Sequence, residues 1–342
     1  MTPEMPTQIV SKTVYSLYYP ETAKLIEAAL NPFPHHLYTE AWTKKQDELH
    51  GPFFEAWQNV LGTPALPGVR WGIDFPHQYP CNGSSEAIRE TLADLAVESQ
   101  QRRKLPRVHV FSGEYEGYRA IAEGYGFEVV EHSRNQRHES DWRLAATNIN
   151  KQMRPGDRFY ISHPSSIDDN IWPHIDEFIT LMAEHNPGVG IYLDLCYVGT
   201  TQKPVVVTNA NLFNVQALFF SLSKVYGVYY HRMGGVYSRK RLPGLVGNMW
   251  FKNLLSLHLG KMLLNHFGGS LPKTYGHLQK RAVEALEGWY EKRGDVAIIK
   301  PSDVVLLAHS EGRGFYEWDQ ELQRAGGVRY CLTPFMGLEL GQ

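Results

Sequence analysis

The chain has 342 residues, 43% of them hydrophobic and 20% charged, which is ordinary for a globular protein with a buried core, and it shows no repeat or low-complexity linker. Its length suggests one large or two unequal domains. A formal net charge of -2 leaves no basic footprint for nucleic acid or an anionic membrane surface, so neither partner is expected.

The opening MTPEMPTQIVSKTVY lacks the basic-then-apolar order of a secretory signal. No apolar run approaches the ~20 residues needed to cross a bilayer. Cys81, Cys196 and Cys331 lie far apart and match no zinc or redox spacing, which points to a reducing, cytoplasmic setting. His35, His36, His132 and His138 sit in polar stretches without a ligating helix pattern, so they read as solvated and no metal site is expected.

In chain order, residues 21–30 (ETAKLIEAAL) and 85–104 (SEAIRETLADLAVESQQRRK) carry apolar residues at helical spacing. Short β-rich runs follow at Val108–Phe111, Phe127–Val130, Arg158–Ser162, Gly190–Leu195 and Ala217–Leu222. Helical stretches lie between several of them, notably Tyr118–Tyr125 and Ile175–Glu184. Strands separated by helices predict an α/β fold with a mostly parallel sheet covered on both faces. After Gly235 the pattern changes to two longer helices, Leu245–Phe267 and His277–Lys292. Strands at Val296–Lys300, Val304–His309 and Val328–Leu332 around a helix near Tyr316–Arg324 then predict a smaller α+β domain. The expected division is an N-terminal segment, 1–60, packing with the small domain, a large domain over 61–265, and a reduced small domain over 266–342.

Ligands of open α/β sheets bind at the carboxyl ends of the strands. Four segments fall there. In CNGSSEAIRE (81–90), Gly83, Ser84 and Ser85 precede a helix whose free N–H groups would suit a phosphate, or they form a plain N-cap. Tyr115 follows a strand closely enough to lie over a flat ligand, or simply to pack. Asp194 sits in an apolar strand and needs a partner, either a protonated heterocyclic nitrogen or an arginine, with Tyr197 three residues on. Finally, FFSLSKVYGVYYHRMGG (219–235) sets Lys224 after Ser221 and Ser223, with Arg232 eight residues later. In a dry pocket beside a cation the amine would be a neutral nucleophile; on the surface it would be an ordinary solvated cation.

The order GSSEA, an aromatic after a strand, D-x-x-Y, then S-x-S-K followed by Arg, resembles the fold-type I pyridoxal-phosphate enzymes, in particular the class I/II aminotransferase superfamily. The likeness runs from about Asn82 to Gly235 and more loosely to Arg329. It implies pyridoxal 5'-phosphate as cofactor, joined through an imine to Lys224, with Asp194 on the pyridinium nitrogen, Tyr197 on the phenolic oxygen and Tyr115 stacked on the ring. Gly83, Ser84, Ser85, Ser221, Ser223 and Arg232 would surround the phosphate, and Arg329 would hold a substrate α-carboxylate. Tyr38, in HHLYTEAW, would reach the phosphate of a partner subunit, since family members are usually homodimers.

The sequence departs from the family where an N-P-x-N-P-T-G segment usually supplies an asparagine to the phenolic oxygen. Here SHPSSIDDNIWP (162–173) puts Ser166 at that position, unless Asn170 folds back into it. The implied activity is amino-group transfer from an α-amino acid to a keto acid, with a lyase, cyclase or oxidase on the same carbanion chemistry as alternatives. The chain also ends soon after Arg329, without the usual terminal helices. Two remoter readings are an S-x-x-K serine hydrolase, whose S-D-N and K-T-G companions are missing, and a non-catalytic protein that keeps the cofactor. No G-x-G-x-x-G follows an early strand, which argues against a nicotinamide-binding domain.

Overall fold

The structure is a computed structural model that describes residues 14–43, 46–100, 105–134, 141–248, 254–311, 322–324 and 327–340. Seven strands form one sheet: β1 (His77–Cys81), β2 (Val108–Phe111), β3 (Val129–His132), β4 (Arg158–Ser162), β5 (Gly190–Asp194), β6 (Val215–Ser221) and β7 (Gly234–Ser238), in the order β1-β7-β6-β5-β4-β2-β3. Within it only β7 runs against its neighbours, pairing antiparallel with both β1 and β6. The expected α/β class with a mostly parallel sheet is what the chain adopts.

Both faces of this sheet are buried, which explains the nearly continuous apolar runs. Side chains alternate between two cores: Phe159, Ile161, Leu218 and Phe220 pack on one face, Tyr160, Tyr192, Ala217 and Phe219 on the other. Helix Ser84–Ser99 covers the second face through Ile88, Leu92 and Leu95. Helix Ile175–His185 covers the first through Phe178, Ile179 and Met182.

β1 and β7 escape the sequence reading. The first is HQYPC, too short and polar to show alternation, and the second is GGVYS, in which glycine hides the β signal. Gly234 is needed there because a Cβ would stand 2.5 Å from Phe220 O and 2.8 Å from Gly83 Cα, where β6, β7 and the loop after β1 converge.

Four further strands, β8 (Ile299–Pro301), β9 (Leu307–Glu311), β10 (Gln323–Arg324) and β11 (Gly327–Cys331), make a separate antiparallel sheet in the order β10-β11-β9-β8. Helix Gly276–Glu291 packs on it. The helix expected near Tyr316–Arg324 is corrected at its end, where Gln323–Arg324 pairs with β11; residues 316–321 lie outside the described residues. A short helix, Thr333–Glu339, follows β11 where the sequence suggested none. Among the N-terminal residues, Tyr19 packs edge-on to Tyr275, Glu21 accepts from the Tyr275 hydroxyl and Tyr15 N–H donates to Cys331 Sγ. Helix Gln46–Trp57 packs its Phe53, Phe54 and Trp57 against Phe220 and Tyr237 of the large sheet.

No helix of the described residues is long and apolar enough to cross a membrane. His132 is not solvated as expected. It is buried, its Nε2 lies 2.8 Å from His109 Nδ1, and burial pushes its pKa down to about 4.

Candidate active site

The carboxyl ends of β1, β2, β4, β5 and β6 all deliver side chains to one cavity of about 280 Å³. It lies where the strand order changes direction, with β1 and β7 added beyond β6. Ser84, Ser85, Tyr115, Ser166, Asp194, Tyr197, Ser221, Ser223, Lys224, Arg232 and Arg329 all line it. Residues as far apart as 84 and 329 thus meet at a single site.

One end is built for an anion. Gly83 is the N-cap of helix Ser84–Ser99 with φ +81°, and a Cβ there would meet Arg232 Nη2 at 2.8 Å. Ser84 and Ser85 begin the helix, so their N–H groups and hydroxyls sit at its positive end. Across from them, Ser221 Oγ donates to Ser223 Oγ at 3.1 Å. Arg232, itself at φ +51°, donates from Nη2 to Asn82 O at 2.6 Å and stacks over the Tyr229 ring at 5.0 Å. Its guanidinium therefore ties the loop after β1 to the turn before β7.

Beyond these hydroxyls lies Lys224. Its ammonium donates to Val14 O and stands 5.5 Å from the Tyr229 ring centroid. Burial pushes its pKa down to about 8, and Arg329 and Arg232 act in the same direction against Cys331 and Cys196. Residues 14–16 cross the site here: Ser16 Oγ donates to Ser223 O at 2.6 Å, and Tyr15 N–H to Cys331 Sγ at 3.4 Å.

Asp194 ends β5 and is 2% exposed. Burial pushes its pKa up to about 6, opposed by hydrogen bonds from Tyr118 Oη (3.0 Å, to Oδ2) and Cys196 N–H (3.1 Å, to Oδ1). No arginine among the described residues pairs with it. Tyr197 is buried beside it, and burial raises the pKa of its phenol well above the usual value, so the hydroxyl stays protonated. Tyr115 is the half-exposed N-cap of helix Glu116–Gly124, with its hydroxyl 3.4 Å from Ser85 Oγ and its ring edge-on to Tyr118.

At the far end Arg329, on β11, donates from Nη1 to Ser166 O at 2.6 Å, and its Nε lies 3.7 Å from Asp169 Oδ2. Asn170 is not brought to the cavity. Its carboxamide oxygen accepts from Asp303 N–H at 2.9 Å, so of these two residues Ser166 is the one that lines the cavity. Tyr38 is also outside the cavity of its own chain, 62% exposed on helix His35–Thr43 beside Trp42.

Several lining residues escaped the sequence reading. Glu114, Glu116, Cys196 and Arg324 all face the cavity, and Tyr118 holds Asp194 from behind. Tyr118 lies one helical turn after Tyr115, and that i, i+3 spacing was the available signal. Nothing in SGEYEGY marks Glu114 as buried.

The arrangement fits pyridoxal phosphate. An anion cradle that a Cβ at Gly83 would fill, an amine of lowered pKa and a buried carboxylate opposite it match the cofactor's phosphate, aldehyde and ring nitrogen. Among the described residues no group of side chains could hold a metal ion.

No family model and no curated protein matches this sequence. Solved structures do. An aminotransferase from Neisseria meningitidis is 16% identical, with a TM-score of 0.69 over 99% of this chain and 93% of its own. A PLP-bound C-S lyase from Staphylococcus hominis is 12% identical, with a TM-score of 0.68 over 98% and 90%. An L-threonine-O-3-phosphate decarboxylase from Porphyromonas gingivalis is 16% identical, with a TM-score of 0.60 over 97% and 98%. The chain therefore has the fold of the class I/II aminotransferases and their fold-type I relatives, the likeness that its sequence motifs implied.

Proposed function

We propose that the chain is a pyridoxal-phosphate enzyme that acts on an α-amino acid, with amino-group transfer to a keto acid as its reaction. The observation that carries this reading is the convergence of Lys224, Asp194 and the Ser84–Ser221–Arg232 cradle on one cavity. When bound, the cofactor supplies an electron sink for a pair of electrons left on the substrate Cα. The serine hydroxyls, the helix N-terminus and Arg232 bind its phosphate. Asp194, kept anionic by Tyr118 and the Cys196 N–H, holds a proton on the ring nitrogen. Tyr197 meets the phenolic oxygen, and Arg329 orients the α-carboxylate. Lys224 Nζ would be the nucleophile toward the cofactor's aldehyde and the base that moves a proton from and to the substrate Cα.

The second reading is a lyase, cyclase or oxidase on the same site. It is favoured by one observation: Ser166, which the sequence matches to the asparagine of family transferases, is linked through Ser162 to the buried acid Glu114. A serine hydrolase is disfavoured because Ser221 is committed to Ser223 and to the end of a strand. The functional form is proposed to be a homodimer in which Tyr38 of each chain reaches its partner's phosphate cradle.

Borohydride reduction of the cofactor-loaded protein, followed by peptide mass mapping, should place the label on Lys224. Incubation with each amino acid, with and without a keto acid, then separates the reactions. Amino exchange supports transfer, ammonia supports elimination, and peroxide supports oxidation. A protein that binds the cofactor but turns over no amino donor would be non-catalytic. A label on any other lysine, or none, would end the proposal.

A further inference from the structure

Glu114 is a buried acid that the chemistry above does not use. It lines the cavity from the loop after β2 and is bonded to the end of β4. Ser162 Oγ donates to Glu114 Oε2 at 2.5 Å, and Ser162 N–H lies 3.3 Å from Oε1. The same Ser162 oxygen accepts from Ser166 N–H at 2.6 Å and lies 2.9 Å from Ser166 Oγ. Ser166 in turn lines the cavity, and Arg329 holds its carbonyl in place. Glu114, Ser162 and Ser166 are 6%, 1% and 4% exposed, so the chain of oxygens is shielded from bulk water.

A hydroxyl has one proton and two lone pairs, which makes the chain's polarity countable. With Glu114 ionised, Ser162 must donate to the carboxylate, and its two lone pairs take Ser166 N–H and Ser166 O–H. Ser166 then has no proton left for the cavity and shows it only lone pairs. With Glu114 protonated, the carboxyl O–H donates to Ser162 Oγ, which still accepts Ser166 N–H. The Ser162 proton swings to Ser166 Oγ, and the Ser166 proton is released toward the cavity. One proton taken from solvent at Glu114 thus reverses two hydrogen bonds, Glu114–Ser162 and Ser162–Ser166, and turns the Ser166 hydroxyl proton toward the cavity.

We propose that Glu114 is a positioning residue whose protonation state sets, through Ser162, whether Ser166 offers the cavity a donor or an acceptor. Applied to the pyridoxal-phosphate reading, on which this application rests, the cavity group facing Ser166 is the cofactor's phenolic oxygen. A donor there stabilises its anion and an acceptor stabilises its protonated form. The titratable and charged groups around Glu114 are Arg134 near the end of β3, Tyr118 on the helix after β2, Asp168 and Asp169 after β4, Asp194 and Cys196 at the end of β5, and Glu116, Lys224, Arg324 and Arg329 on the same cavity. Burial outweighs Arg134 and the Ser162 bonds and pushes Glu114 up to about 7, which puts the reversal at neutral pH.

Two measurements test this. In the cofactor-free chain, carbon-13 NMR of carboxyl-labelled glutamate follows Glu114, assigned with Glu114→Gln. Ser162→Ala removes a donor to the ionised form and should raise the midpoint by about one pH unit. An unmoved midpoint overturns the proposal whether or not the cofactor binds. In the cofactor-loaded protein, the visible absorption of bound pyridoxal phosphate should show an inflection near neutral pH that is lost both in Glu114→Gln and in Ser166→Ala. Loss in Glu114→Gln with retention in Ser166→Ala would mean that Glu114 acts by charge alone and would overturn the relay. A chain that takes up no pyridoxal phosphate defeats the cofactor reading instead, and the NMR midpoint still decides the relay.

Discussion

The Tyr118 hydroxyl donates to Asp194 Oδ2 at 3.0 Å and is, among the described residues, the single side-chain hydroxyl that supports this carboxylate. Both groups are buried, and burial alone favours the neutral acid. Tyr118 favours the ionised form, so Tyr118→Phe should raise the Asp194 pKa further above about 6. The acid limb of the pH–rate profile is then expected to move up by about one pH unit, with kcat down about twofold at pH 7 and approaching tenfold at pH 5. Cofactor affinity should change less than threefold, because the phosphate cradle is untouched. Unchanged pH dependence would show that Asp194 does not need Tyr118.

The strands of the parallel sheet were legible because both their faces are buried, so Phe159–Ile161 and Leu218–Phe220 read as continuous apolar runs. The motif residues were legible for a related reason: a carboxylate at the end of such a run, as at Asp194, is costly without a purpose. What the sequence hid was tertiary. His132 sits in a polar stretch, yet it is buried beside His109 of the neighbouring strand, whose other ring nitrogen is held by Asp157. Asn170 was a reasonable donor by distance along the chain. The backbone of Asp303, 133 residues away, claims its carboxamide instead. Glu114 and Arg324 look like surface charges until the loop after β2 and strand β10 are brought to the cavity.

Gly83 separates backbone strain from ligand geometry. It has φ +81°, and a Cβ would stand 2.8 Å from Arg232 Nη2. Gly83→Ala should push Arg232 off Asn82 O and weaken pyridoxal-phosphate binding at least tenfold, besides costing about 1 kcal/mol in stability. Gly126 has the same φ of +81° with nothing within 4 Å of its would-be Cβ. Gly126→Ala should therefore carry the strain alone and leave cofactor affinity unchanged. Equal losses of affinity would refute the cradle.

Lys224 makes a kinetic prediction. With a pKa of about 8, roughly a quarter of the amine is neutral at pH 7.5, against about one part in a thousand for an ordinary lysine. The rate of covalent attachment to pyridoxal phosphate should rise with pH and level off above a midpoint near 8. In Arg232→Gln one of the cations that lowers this pKa is gone, so the midpoint should move upward while the phosphate binds more weakly. A rate that keeps climbing past pH 9 in the unaltered chain would place the lysine in water.

Asp169 links the site to stability. It is 0% exposed, has φ +60°, and neither carboxyl oxygen has a hydrogen-bond partner among the described residues. Arg329 is 3.7 Å away, too far for a bidentate bridge, so burial wins and pushes the Asp169 pKa up to about 8. The sign follows from proton counts. Between the unfolded value near 4 and about 8 the folded chain binds the extra proton, so this group's contribution falls as pH rises. His132 and His163, both held near 4 by burial, push stability the other way, but only up to about pH 6.5, where they are neutral in both states. The window from about 6.5 to 8 is therefore left to Asp169 and Glu114, before Lys224 begins to oppose them at higher pH. Over that window Asp169 costs about 2 kcal/mol, and Asp169→Asn, which tolerates the left-handed backbone, removes the charge. Thermal melts of the cofactor-free protein should show Tm declining from pH 6.5 to 8, and declining less steeply by a few degrees in Asp169→Asn. Parallel curves for the two proteins would mean that Asp169 is already ionised across this range and is held by Arg329 after all.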